Sequence, residues 1–244
     1  MAPAPHVCVA VCQLARCSGG SQPTWAPSRP RSGRAAGNGA QVVVLPELVT
    51  TGYVFESAQE ARGLAEPADG PSLRAITALA LELDLVIVGG FAELAADDAV
   101  HNSAFLIDRS GVRAVYRKAH LWADEHRWFT PGQEPPAVVD TDLGCIGILV
   151  CYDLEFPEWT RIAALAGADL LCVPTNWPAA PFSAVSVRSR WSVPRPAPRS
   201  TGSSSPPAIG WVWSGARTGS AVRPSSARTD TRSPWPNRAV DHRP

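Results

Sequence analysis

Lysine is all but missing from this sequence: one residue, Lys118, stands against 21 arginines in 244 positions. Net charge is missing too, with 22 basic and 22 acidic side chains, and a chain with no basic excess is not expected to bind nucleic acid. No apolar run approaches the length of about 18 residues that a membrane-spanning helix needs, so no membrane partner is expected. The six cysteines include no C-x-x-C pair, and no Cys or His pair has ligand spacing. That excludes a disulfide framework and suggests no metal site. Residues 6–14 are apolar but lack a preceding positive region and a convincing cleavage site. They are expected to form a first buried strand rather than a signal peptide, in a cytoplasmic chain. The excess is in proline: 24 residues, about twice the usual share of roughly 5%. An apolar content of 45% excludes a wholly disordered chain.

The composition divides the chain. Residues 40–178 read as an α/β protein. The run QVVVL at 41–45 is a β-branched strand that ends at Pro46. The segment 71–84 has helical spacing at Leu73, Ile76, Leu79, Ala80 and Leu83, with Asp69 or Gly70 to cap it and Pro71 in its first turn. A buried strand at 85–88 is expected to close at Gly89-Gly90. Strands at 103–108 and 112–116 flank Arg109-Ser110-Gly111 as a hairpin. A strand at 145–150, a helix at 156–166 and a strand at 169–173 follow. Fully apolar strands alternating with helices predict a layered α/β architecture. Cys8, Cys12, Cys145 and Cys172 fall inside strand-like runs and read as small buried thiols.

Two stretches differ. Residues 15–39 contain no Leu, Ile, Val, Asp or Glu. Residues 179–244 contain no Leu, Met, Lys or Glu, but ten Arg, ten Pro, thirteen Ser and four Trp. No amphipathic period is found there, and the segment reads as disordered or translated out of frame. Arginine in place of lysine points to GC-rich coding DNA, whose alternate frames yield Arg, Pro, Ser, Gly, Ala and Trp. The expected organisation is therefore one domain over 1–178, aberrant at 15–39, and an Arg/Pro/Ser-rich tail over 179–244. The charge divides with it. Residues 1–178 carry 12 basic and 20 acidic side chains, and residues 179–244 carry 10 and 2.

Four patterns in 40–178 carry reactive side chains. Glu47 directly follows an apolar strand in LPELVTTGY, at the strand end where sites assemble in α/β folds. Lys118, in YRKAHLW, is the one place where arginine has not served. That retention suggests a compact point charge near a reacting centre. His120 beside it reads as a structural histidine. Glu125 lies in the acidic loop WADE that leads to Phe129 and Pro131-Gly132. Cys151 ends a buried strand and enters a turn and helix in CYDLEFPE, a strand–turn–helix elbow that exposes a nucleophile to backbone N–H donors.

Together the four patterns, with the following AGADLLCVPTNWP, resemble the nitrilase superfamily of carbon–nitrogen hydrolases. The family's Glu–Lys–Cys triad falls on Glu47, Lys118 and Cys151, 71 and 33 residues apart, and Glu125 matches its second glutamate. The resemblance covers 6–14 and 40–178. It implies a four-layer αββα sandwich, here incomplete, and hydrolysis of a non-peptide carbon–nitrogen bond through a cysteine thioester. It implies no cofactor and a small-molecule amide substrate, and leaves a homo-oligomer open. Tyr152-Asp153 after the nucleophile resembles the amidase branches, so a linear amide or carbamoyl compound is expected over a nitrile. Tyr53, Tyr152 and Trp177 are the expected substrate-binding residues, with Trp122 a further candidate wall. A catalytically defective remnant and a nitrile hydrolase of the same family are the alternatives.

Overall fold

Apolar strands without polar alternation need cover on both faces, and two stacked sheets flanked by helices supply it. The computed structural model describes residues 6–14, 26, 28–176 and, as backbone, 190–194 and 210–214. The elements in chain order are β1 (His6–Val11), α1 (Ser28–Gly37), β2 (Val42–Val44), α2 (Ala58–Leu64), α3 (Pro71–Leu83), β3 (Val86–Leu94), β4 (Val100–Asp108) and β5 (Gly111–Arg117). They continue with β6 (Val138–Thr141), β7 (Gly144–Ile148), α4 (Pro157–Leu165), β8 (Leu170–Pro174), β9 (Arg190–Pro194) and β10 (Gly210–Ser214). Single 3₁₀ turns occupy Ala123–Arg127 and Cys151–Glu155.

The first sheet has the order β5-β4-β3-β2-β1-β9 and the second β10-β8-β7-β6. β1, β2 and β3 are mutually parallel, and β4, β5 and β9 join antiparallel. β7, β8 and β10 are parallel, with β6 antiparallel at the edge. Alternation along the strands sends Val9, Val42, Val44, Val88 and Leu106 of the first sheet into one core with Ile146, Ile148 and Cys172 of the second. The opposite face of the first sheet, with Val43, Leu45, Ile87, Phe105 and Ile107, packs on Leu73, Ile76, Leu79 and Ala80 of α3. Ala163 of α4 closes over Gly147 and Leu171 on the far face of the second sheet. The layers run helix, sheet, sheet, helix, the αββα sandwich that the resemblance implies.

α3 follows its signals: Gly70 is the N-cap, Pro71 opens the first turn, and Asp84 caps the end in the left-handed region at φ 50°. β3, however, does not close at Gly89-Gly90 but runs through both to Leu94. The glycines are there for close approach. A Cβ on Gly89 would lie 2.7 Å from the Phe105 ring, and one on Gly90 would lie 2.5 Å from the Leu48 backbone nitrogen. Cys145, expected to be buried, is half-buried.

In the stretch 15–39, expected to be aberrant, a helix occupies Ser28–Gly37 and packs beside α3. It turns Ser28 and Ser32 inward, and neither buried hydroxyl has a hydrogen-bond partner among the described residues. Within 179–244, where composition predicts no regular element, β9 pairs with β1 and β10 with β8. The remainder of that segment, and Trp177, lie outside the described residues.

Candidate active site

The strand ends deliver four side chains to one place from two sheets. Glu47 leaves β2 in a turn held by Gly90, whose N–H donates to Pro46 O (3.0 Å) and whose carbonyl accepts from Val49 N (2.8 Å). Lys118 follows β5, and Glu125 sits in the 3₁₀ turn after it. Cys151 enters its turn from β7 with φ +44°, and Leu48 beside Glu47 has φ +49°. Non-glycine residues in the left-handed region cost about 1–3 kcal/mol each, and such strain gathers where a side chain must be aimed.

Lys118 has no exposed surface, and Glu47, Glu125 and Cys151 keep 5% or less. Lys118 Nζ donates to Glu47 Oε1 and to Glu125 Oε1, both at 2.8 Å. Asn102, at the start of β4, donates from Nδ2 to the same two oxygens at 2.9 and 3.3 Å, while its backbone carbonyl accepts the Lys118 backbone N–H at 2.8 Å. Tyr53 Oη donates to Glu125 Oε1 at 2.6 Å, and the Trp122 N–H fixes Glu125 Oε2 at 2.9 Å. The lysine is thus locked between two carboxylates. Burial would discharge it, but Glu47 and Glu125 outweigh burial and hold its pKa above the ordinary value.

Glu47 Oε2 is buried without a hydrogen-bond partner among the described residues. The Cys151 thiol lies against this carboxylate and receives the backbone N–H of Asn176, at the end of β8. Burial, then the Glu47 charge, push the thiol pKa well above its ordinary value, with Lys118 and the Asn176 N–H opposing them. Burial also raises Glu47, against the pull of Lys118. Burial therefore favours the proton on the Cys151 thiol and raises the proton affinity of Glu47 beside it.

The other expected residues are placed differently. Tyr53 reaches the cluster through its hydroxyl on Glu125. Tyr152 is half-buried, its ring edge-on to Phe156 with centroids 5.4 Å apart. Trp122 is 38% exposed and enters through its backbone. His120 Nδ1 lies 2.8 Å from Asp153 Oδ1, and its ring stacks on Phe156 at 3.6 Å. Three residues in or beside the cluster were given no role from sequence: Asn102 and Asn176 within it, and Asp153, which bonds Tyr116, His120 and Val150 next to it. An Asn inside the apolar strand VHNSAFLID was the available signal for the first, since a buried amide demands partners. The other two carry no separate signal in a single sequence. Among the described residues no group of three or more His, Cys, Asp or Glu has the arrangement of a metal site.

A family profile described as carbon–nitrogen hydrolase matches residues 8–195. The chain is similar to a hydrolase of Pseudomonas protegens, with 42% identity over 138 residues, 56% of this chain and 48% of that one. It is similar to a nitrilase of Pyrococcus abyssi, with 38% identity over 143 residues, 58% and 54% of the two chains. Among solved structures it is similar to an amidase from Nesterenkonia sp., with TM-score 0.59 and 27% identity over 72% of this chain and 66% of that one. A variant of the Nesterenkonia amidase carries acrylamide added at its active-site cysteine. The chain spans about half the length of the curated relatives it matches.

Proposed function

The chain belongs to the carbon–nitrogen hydrolase family, and on that footing we propose that it hydrolyses a small linear amide or carbamoyl compound through a thioester on Cys151. The observation that carries this reading is the buried Glu47 carboxyl in contact with the Cys151 thiol, with Lys118 fixed on the same glutamate. Glu47 takes the thiol proton as general base, and the sulfur attacks the amide carbonyl carbon. The carbonyl oxygen becomes an oxyanion between Lys118 Nζ and the Tyr152 N–H. One such donor is worth about 2.7–4 kcal/mol of barrier. As the intermediate collapses, the C–N bond breaks and Glu47 returns its proton to the departing nitrogen. Glu47 then deprotonates a water, which opens the thioester. An amide yields a carboxylic acid and ammonia or an amine, a carbamoyl compound yields carbamic acid, which loses carbon dioxide, and Glu47 returns the proton taken from water to the departing sulfur, restoring the thiol.

Two raised pKa values serve this cycle. A neutral thiol needs a base, and a carboxylate with raised proton affinity is a stronger one. Glu125, Asn102 and Tyr53 hold Lys118 charged and in place. Residues 1–178 form the catalytic domain, to which 179–244 adds β9 and β10. The test is ammonia release by the purified full chain from linear amides and, in parallel, from the corresponding nitriles, with Cys151→Ala as control. Amide hydrolysis that disappears in Cys151→Ala is expected. Folded protein with no turnover, or turnover that survives the substitution, refutes the reading.

A catalytically defective remnant is the second reading. It is favoured by the buried hydroxyls of Ser28 and Ser32, which have no hydrogen-bond partner among the described residues. Folded chain whose Cys151 resists alkylation and which hydrolyses neither amide nor nitrile would establish it.

A further inference from the structure

Asp153 is fully buried two residues past Cys151 and plays no part in the proton transfers above. Its Oδ1 accepts the His120 N–H at 2.9 Å and lies 2.8 Å from His120 Nδ1. Its Oδ2 accepts the Tyr116 hydroxyl at 2.9 Å and the Val150 N–H at 3.2 Å. Tyr116 and His120 stand two positions before and two after Lys118, and Val150 directly precedes Cys151. One carboxylate therefore grips both flanks of the lysine and the entry to the cysteine turn.

The grip matters because the two groups belong to different sheets. Lys118 extends from the first sheet and Cys151 from the second. The backbone tie between the sheets at this end is long, from Glu47 N to Thr175 O at 3.4 Å. Asp153 supplies shorter, charge-assisted ties. Its partners are braced in turn: Trp159 of α4 donates to the Tyr116 hydroxyl at 2.8 Å, and His120 stacks on Phe156.

We propose that Asp153 is a positioning residue that sets the distance between the Lys118 ammonium and the Cys151 thiol by tying the lysine segment to the nucleophile turn. This rests on the reading of Cys151 as nucleophile and Lys118 as oxyanion donor. An asparagine in its place keeps the shape, but one of its two terminal atoms becomes a donor facing donors, so the tie is lost on one side.

The test uses the full chain with Asp153→Asn and Tyr116→Phe. Three quantities are read: the rate of Cys151 alkylation by iodoacetamide as a function of pH, followed on the Cys151 peptide; kcat and KM for an amide; and Tm. For a displacement of order 1 Å, Asp153→Asn is expected to lower kcat and the alkylation rate by about 10–100-fold with KM within about threefold. The pH at which alkylation is half-maximal is expected to rise, because Lys118 no longer holds the thiol pKa down. Tyr116→Phe removes one donor and is expected to give a smaller fall in the same direction. It carries the test if Asp153→Asn does not fold. Alkylation and kcat that stay at wild-type values in the folded variants, whatever Tm does, overturn the proposal. Alkylation needs no substrate, so its loss in Asp153→Asn sustains the proposal even if no amide is turned over, while absent turnover by wild type refutes the functional reading alone.

Discussion

Gly90→Ala separates what the fold tolerates from what the site tolerates. A methyl carbon there would lie 2.5 Å from Leu48 N, 2.7 Å from Glu47 Cα and 3.0 Å from Glu47 C. All three are backbone atoms of the turn that carries Glu47, so no side chain can rotate away. Ordinary contact begins at 3.4 Å, so the turn must retreat by about 0.9 Å from its 2.5 Å approach, and a misplacement of that order costs about 100-fold in rate. Overpacking itself costs about 1–3 kcal/mol of stability. Gly89→Ala is the matched control. Its methyl would meet the Phe105 ring at 2.7 Å and Leu45 Cβ at 3.0 Å, on the α3 side of the sheet. It is expected to lose about 1–3 kcal/mol of stability while the folded fraction keeps wild-type kcat. The assay is ammonia release normalised to folded protein, with Tm from circular dichroism. Wild-type kcat in Gly90→Ala, or an equal loss in both variants, would refute the claim that Gly90 exists to seat Glu47.

Ser32→Ala is expected to stabilise the protein by about 1 kcal/mol in denaturant titration, because it removes a buried hydroxyl that has no partner among the described residues and raises helix propensity. Unchanged or lower stability would show that the hydroxyl is satisfied after all. Glu93 is buried, which would raise its pKa, but hydrogen bonds from Arg117 (3.0 and 2.7 Å) and Ser103 (2.6 Å) outweigh burial and lower it. A carboxylate with a depressed folded pKa stabilises above its unfolded value and loses that contribution as pH falls through the folded one. Glu93→Gln is therefore expected to cost about 1 kcal/mol at neutral pH, with the gap to wild type closing below the ordinary carboxylate range. A gap that does not depend on pH would contradict this.

The elements legible in the sequence are those fixed by local chemistry. QVVVL cannot sit in water, and the i, i+3, i+4 pattern of 71–84 can only bury one helical face. The Asp108–Gly111 turn forces its hairpin: Ser110 N and Oγ both bond Asp108 Oδ1 at 2.8 and 2.6 Å, beside Gly111 at φ +119°. What was not legible depends on neighbours distant in the chain. Gly89-Gly90 looked like a stop because close approach of Phe105 and the Glu47 turn leaves no local mark. α2 had a readable capping pattern, with Ser57 Oγ accepting Glu60 N at 3.1 Å and Glu60 Oε2 accepting Glu56 N at 2.6 Å. Its apolar content is too small to show a period. α1 is held against α3 by Ala35 and Ala36 and by an exposed Arg29–Glu82 pair at 2.8 Å, contacts that composition does not betray.

The groups proposed to react were legible for a different reason: each breaks the rule of its surroundings. Glu47 is a charge directly after a fully apolar strand, Cys151 is a thiol where a strand turns into a helix, and Lys118 is the one lysine where arginine serves everywhere else. The geometry gives the lysine its physical necessity. Its ammonium occupies a space with no exposure and meets Glu47 Oε1 and Glu125 Oε1 at 2.8 Å each. A planar guanidinium is larger and demands a fork of acceptors in its own plane, but Asn102 Nδ2 already shares those two oxygens. Asn102 was not singled out, and Asp153 only as a mark of the amidase branches, because both side chains bond other residues distant in the chain. Neither breaks a local rule strongly, and their role exists only once two sheets have come together.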